Sequence, residues 1–296
     1  MQASEKKNRW MEIPAFLLCV LCMAGGFSYF FDPLRLGMGE EVNERDVYIL
    51  SALSRPENSL DAVILGDSEA LVLASPDRLY EQTGISAAII GQSGQTLSEA
   101  YDALVSVSRR QNLKLVILET DMITDESNIR RDLTESFNTA AYHYFPVLRY
   151  HGIWKGMLGQ RKEDKIVHSR GFRERKEIVP YTGGEYMLPS EKKVHLPVTT
   201  RALLNRIVKF CRKEEITLLL VSAPSPGNYN MEKHNTLSAY AKEQELDYLD
   251  LNLLTEQIGI NWETDMLDGD DHMNLSGSLK VTDYLAEYLQ KENEAK

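Results

Sequence analysis

Five short runs of β-branched and aliphatic residues, Ala62–Leu65, Ala87–Ile90, Leu113–Leu118, Ile216–Ser222 and Leu246–Leu251, recur along the chain. Each is followed by a turn or by a helical pattern of apolar positions. A strand that is apolar on both sides has to be covered on both faces, which is the condition of a parallel sheet with helices above and below it. The spacing predicts helices over Glu69–Thr83, Leu97–Gln111, Thr199–Glu214, Glu232–Glu245 and Leu275–Asn293. The expected fold is therefore α/β and three-layered, with a parallel sheet of about five strands.

Ahead of this pattern lies a different kind of segment. From Ile13 to Phe31 the chain carries no charge for nineteen residues. As a helix at ~1.5 Å per residue this run nearly matches a hydrocarbon layer of about 30 Å. It exceeds the apolar stretch of a cleaved secretory signal, usually about 7 to 15 residues, so an anchor is expected. Lys6, Lys7 and Arg9 precede it, and the positive-inside bias then puts the amino terminus in the cytoplasm and the rest of the chain outside. The expected organisation is a cytoplasmic tail 1–12, a transmembrane helix 13–31, a stalk 32–60 and an extracytoplasmic domain 61–296.

Between residues 122 and 198 the strand–helix rhythm stops, and a stretch this long is expected to be an insertion rather than a connection. It holds Tyr142, His143, Tyr144, Tyr150, His151 and Trp154. These residues suit either a local core or a surface that stacks on sugars or lines an acyl pocket. From Arg149 to Lys176 it carries nine Lys and Arg against three acidic residues. Such a stretch is usually a solvated face, and against an acidic body it also suits lipid headgroups or an anionic glycan.

The formal net charge of −11 argues against nucleic acid as a partner. Three cysteines, two of them inside the apolar run, make no disulfide framework. The histidines have no ligand spacing that would build a metal site.

Ligands of an open parallel sheet bind beyond the carboxyl ends of its strands. There the chain places Gly66-Asp67-Ser68-Glu69, Gly91-Gln92-Ser93-Gly94-Gln95 and Glu119-Thr120-Asp121, and much later Asp268-Gly269-Asp270-Asp271-His272-Met273-Asn274. A serine on a strand-to-helix turn exposes its hydroxyl, and it becomes a nucleophile when a neighbouring base takes its proton. His272 can be that base, with an acidic residue just before it to hold the ring. Gly94 can approach a substrate closely and donate a backbone N–H to an oxyanion. By residue chemistry alone, Asp67 reads as a turn former and Glu69 as a first-turn helix carboxylate.

The Gly66-Asp67-Ser68 loop, the Gly94 loop and the late acidic-His272 element resemble the SGNH, or GDSL-type, hydrolase superfamily. The spaced blocks cover most of the chain from Asp61 onward. With the apolar run ahead of them, they are most similar to a membrane-tethered branch that includes a teichoic acid D-alanyl-transfer protein and O-acetyltransferases of exopolysaccharides. The resemblance implies a flavodoxin-like fold and a catalytic triad of Ser68, His272 and Asp268, with Asp270 as the alternative acid. It further implies an oxyanion site from the N–H groups of Ser68 and Gly94, and no metal or organic cofactor. The implied activity is an esterase or O-acyltransferase acting on acyl groups of a cell-envelope polysaccharide, with a separate multi-spanning acyltransferase as the donor partner. A stand-alone carbohydrate or lipid esterase, and a non-catalytic assembly protein, are the rival readings.

Two positions depart from that family. Asp121 stands where it places an asparagine donor, and Gly269 stands three residues before the histidine, where it places the acid.

Overall fold

A computed structural model of the chain describes residues 2–32, 35–36, 47–124, 129–150 and 169–295. Five parallel strands form one sheet: β1 (Ala62–Gly66), β2 (Ala87–Gly91), β3 (Leu115–Glu119), β4 (Thr217–Ser222) and β5 (Asp247–Asp250). Their order across the sheet is β2-β1-β3-β4-β5, that of a flavodoxin-like doubly wound fold. The register is in step: Gly66 pairs with Gly91, and Leu118 with both Leu65 and Leu220. All residues of β1, β2 and β3 are buried.

Alternation along the strands sends side chains into two separate cores. Val63, Leu65, Ala88, Ile90, Val116 and Leu118 pack beneath the helices Val47–Leu53 (α2) and Leu97–Ser108 (α5) on one face. On the same face they also meet Val198–Lys213 (α9) and Met231–Glu243 (α10). Ala62, Ile64, Ala87, Ile89 and Ile117 pack on the other face, beneath Ala70–Leu73 (α3), Pro76–Thr83 (α4) and Leu275–Ala295 (α12). A short helix, Thr255–Ile258 (α11), adds Ile258 to that second core. The three-layer α/β expectation therefore holds, and the five strands fall on the five apolar runs.

Three segments differ from expectation. The single helix expected over 69–83 is two helices, because Pro76 disfavours helical backbone at the residue before it. Ser75 is instead extended and caps α4 through its hydroxyl. Within the span read as a stalk, 32–60, the helix α2 is packed into the core through Ile49, Leu50 and Leu53. Its seven residues are too few for a periodic signal. Within the insertion 122–198, three helices, Asp121–Thr124 (α6), Ile129–Tyr144 (α7) and Pro146–Arg149 (α8), lie on the α5 side. A one-turn 3-10 helix, Ser169–Gly171, is followed by a chain without helix or strand from 172 to 197. That strap is tied down by Val179 N–H to Met266 O at 3.1 Å and by Tyr181 N–H to Trp262 O at 2.9 Å. His151, Trp154 and most of the basic stretch lie outside the described residues.

The first helix, Gln2–Phe30 (α1), contains a window, Glu12–Phe30, with mean hydropathy 1.9 that is 6% buried. It is long and apolar enough to cross a membrane.

Candidate active site

The strand order reverses direction between β1 and β3, and the crevice at the carboxyl ends of those strands is where such sheets bind ligands. The turn after β1 can pass close to β3 only because residue 66 is glycine. A Cβ there would stand 2.6 Å from Ala70 Cβ and 2.7 Å from Glu119 Cβ. Asp67 then turns the chain by accepting the Glu69 N–H at 3.3 Å, which confirms its role as a turn former. Ser68 follows, half-buried, at the crevice.

The late loop brings His272 to the same place. Met273 bridges Met266, and Asn274 donates its side-chain amide to the carbonyls of Thr264, Met266 and Glu177. His272 Nδ1 lies 2.7 Å from Asp268 Oδ2, while its own backbone N–H donates to Asp268 Oδ1 at 2.8 Å. A carboxylate only accepts, so Nδ1 carries the proton and Nε2 is left facing the crevice. The first-choice acid, Asp268, thus lies against the ring. It reaches back across four residues because Gly269 takes a φ of 103°, a conformation that side chains rarely allow. Asp270, the alternative, has its carboxyl group beside Gly227, where a Cβ would stand 2.9 Å from its Cγ, and its backbone carbonyl accepts the Gly227 N–H at 2.6 Å. Asp271, adjacent to the histidine in sequence, also reaches the ring, with Oδ2 at 3.2 Å from Nδ1.

Between the serine and the histidine stands Glu69. Ser68 Oγ donates to Glu69 Oε2 at 3.2 Å, and His272 Nε2 lies 4.0 Å from the same oxygen. Glu69, read as a first-turn helix carboxylate, stands at the N-cap of α3 and is buried, only 3% exposed. Asn228, from the loop after β4, donates to Glu69 at 3.4 Å and to Asp271 at 2.5 Å. Ser225 donates to Asp271 at 3.2 Å. Sequence reasoning gave Glu69 no part in the site and passed over Ser225 and Asn228. The signal that would have found the last two is their place just past the carboxyl end of a strand.

Asp67, Glu69, Glu119 and Asp121 are all buried at this end of the sheet. Burial, reinforced by Glu119, pushes the Asp67 carboxyl up to about 8. Burial and Asp67 push Glu69 up to about 7, and burial and Glu69 do the same to Asp271, also to about 7. Glu119 is raised well above the carboxylate range by burial and by the charges of Glu69 and Asp121. For His272, burial works against the cation, but Glu69, Asp271 and Asp268 outweigh it and lift its pKa above 6.5. The site therefore holds protons that ordinary carboxylates would release.

Asp121 does not swing out of the site. Its backbone N–H donates to Glu119 at 3.0 Å and its carboxylate meets Lys233 Nζ at 3.5 Å. Gly94 is exposed, with φ 63° and nothing within 4 Å of where a Cβ would sit. Glu69, Asp271 and His272 place ligand atoms within 4.8 Å of one another, as do Asp67, Glu69 and Asp121. Both groups offer donors of the kind divalent cations accept.

Of the aromatic residues read in the insertion, Tyr150 joins the core, while Tyr142 and Tyr144 are exposed. His143 Nδ1 lies 2.6 Å from the buried Asp102.

No protein-family model and no curated protein matches the sequence. Among solved structures, the chain is similar to a psychrotrophic esterase from Pseudoalteromonas sp., with 13% identity, TM-score 0.42, and coverage of 79% of this chain and 99% of that one. It is also similar to a GDSL-like lipase from Bacteroides thetaiotaomicron, with 11% identity, TM-score 0.40, and coverage of 85% and 97%. Likeness at this level concerns the general shape, and the chemistry of the site has to be read from its own residues.

Proposed function

We propose that this chain is a serine acyl-ester enzyme of the SGNH type, tethered to a membrane by α1 with its α/β domain outside the cytoplasm. In this reading it cleaves or transfers O-acyl groups on a cell-envelope polysaccharide. The observation that carries the reading is the Asp268–His272 pair, with Nδ1 held at 2.7 Å and Nε2 directed at the carboxylate that Ser68 touches.

Ser68 Oγ attacks the acyl carbonyl once its hydroxyl turns from Glu69 to His272 Nε2, which takes the proton. Asp268 holds the ring and stabilises the imidazolium. The N–H groups of Ser68 and Gly94 receive the oxyanion, each worth about 3 kcal/mol when well placed. His272 then gives its proton to the leaving alcohol. Water or a sugar hydroxyl, activated in the same way, resolves the acyl-enzyme in a second half-reaction. Glu69 and Asp121 would oppose the oxyanion as carboxylates. The raised pKa of Glu69 and the Asp121–Lys233 contact soften that opposition. Where transfer prevails, a multi-spanning acyltransferase supplies the acyl group and the insertion 122–198 limits water.

The test is hydrolysis of p-nitrophenyl acetate, and of an O-acetylated polysaccharide, by the full chain in detergent. The reading expects turnover by the wild type, loss of kcat by ~10³-fold or more in Ser68→Ala, and near-normal turnover in Asp270→Asn. Ser68→Ala turnover equal to wild type excludes the serine mechanism. A wild type inert with both substrates and with an added acyl donor favours the non-catalytic reading, which the carboxylates around Ser68 would then explain.

A further inference from the structure

We infer that α7 and α8 form an interfacial platform that lies on the lipid bilayer beside the emerging end of α1. On α7, Leu133, Phe137, Ala140 and Tyr144 are all exposed, with Phe137 and Tyr144 each 74% accessible. At 3.6 residues per turn these four positions fall within an arc of about 60°. They form one apolar stripe, and Leu148 on the following α8 is exposed as well. One flank of α7, at His143, is tied to the body. Asp102 on α5 binds His143 Nδ1 at 2.6 Å and Arg149 at 2.9 Å, so the stripe is held facing outward on a rigid support.

The occupant is a membrane because the stripe continues an apolar surface that is itself of membrane type. Val147 N–H on α8 donates to Ser28 Oγ at 3.3 Å, and Ser28 belongs to the last turn of the apolar window Glu12–Phe30. Phe27, Tyr29 and Phe30 are exposed on that same turn, and the Arg35 guanidinium sits 3.6 Å from the Tyr29 ring centre. Aromatic rings and arginine at the end of a span mark the headgroup level, and α8 is bonded to the span at that level. The stripe would hold the sheet, and with it the carboxyl-end crevice, at a fixed height above the lipid.

This inference rests on α1 being a membrane span, and the experiment separates the two claims. The full chain carrying Cys19→Ser and Cys22→Ser keeps only Cys211, which is 1% exposed. Single cysteines are then introduced as Phe16→Cys in the span, Phe137→Cys and Tyr144→Cys on the stripe, and Lys291→Cys on α12, across the sheet from α7. Each is labelled with an environment-sensitive fluorophore in vesicles of phosphatidylglycerol and phosphatidylcholine containing nitroxide lipids. The expected result is strong quenching at residue 16, and quenching at 137 and 144 at least twofold above that at 291. Quenching at 16 with 137 and 144 no higher than 291 overturns the platform and leaves the span intact. Labels at 137 and 144 that are shielded only at high protein-to-lipid ratio assign the stripe to a second copy and likewise overturn it. No quenching at 16 removes the span reading, and the platform with it.

Discussion

In the proposed mechanism His272 is the base, and its surroundings set the pH at which it can act. As a general base it has to be neutral, and Glu69, Asp271 and Asp268 keep it protonated to a higher pH than an ordinary imidazole. The acid limb of kcat/KM is therefore expected above pH 6.5, with activity rising as pH increases through it. Asp268→Asn removes one of the charges that hold the proton, so it should move that limb downward while lowering kcat by ~10³- to 10⁴-fold. A pH–rate profile of the two proteins checks both effects, and a limb that stays in place in Asp268→Asn would take that acid off the ring. The identity of the acid was legible in the sequence as a choice between Asp268 and Asp270. The structure puts Asp268 against Nδ1, across a Gly269 whose φ of 103° lets a residue four back reach the imidazole. Glu69 was not legible, because a carboxylate after a strand-end serine reads as a helix-dipole partner until its burial is seen.

At the scale of elements, β1 and the turn that follows it determine where Ser68 can stand. Gly66 is the point of closest approach to β3, and any side chain there meets Ala70 and Glu119 below 3 Å. Gly66→Ala is expected to destabilise the fold by about 1 to 3 kcal/mol, as overpacking does, and to reduce turnover even where the protein remains folded. Denaturant unfolding with a parallel activity assay reads both, and an unchanged midpoint would show that the β1 turn gives way without strain. The strands were the most legible elements, since a run such as Leu115-Val116-Ile117-Leu118 has no other comfortable burial than between two helical layers. Helices with a long apolar stripe, Val198–Lys213 and Met231–Glu243, fell within a residue or two of expectation. The seven-residue α2 and the strap over 172–197 were not visible, because their order comes from tertiary bonds rather than periodicity.

Over the whole molecule, the doubly wound sheet joins a turn near residue 68 to a loop near residue 272, more than two hundred residues apart in the chain. In the proposed reading, the apolar α1 and the stripe on α7 give the same body one side suited to lipid. The general architecture could be read early because the parallel sheet and the single long apolar run are both strong hydrophobic signals. The side on which the insertion packs carried no such signal. The most direct measurement is labelling of intact cells that express the full chain with a membrane-impermeant fluorophosphonate, followed by mass mapping of the modified peptide. The account predicts one adduct, on Ser68, absent from Ser68→Ala and strongly weakened in His272→Gln. An adduct that persists in Ser68→Ala, or an enzymatically active wild type that takes up no probe until the cells are broken, would contradict it.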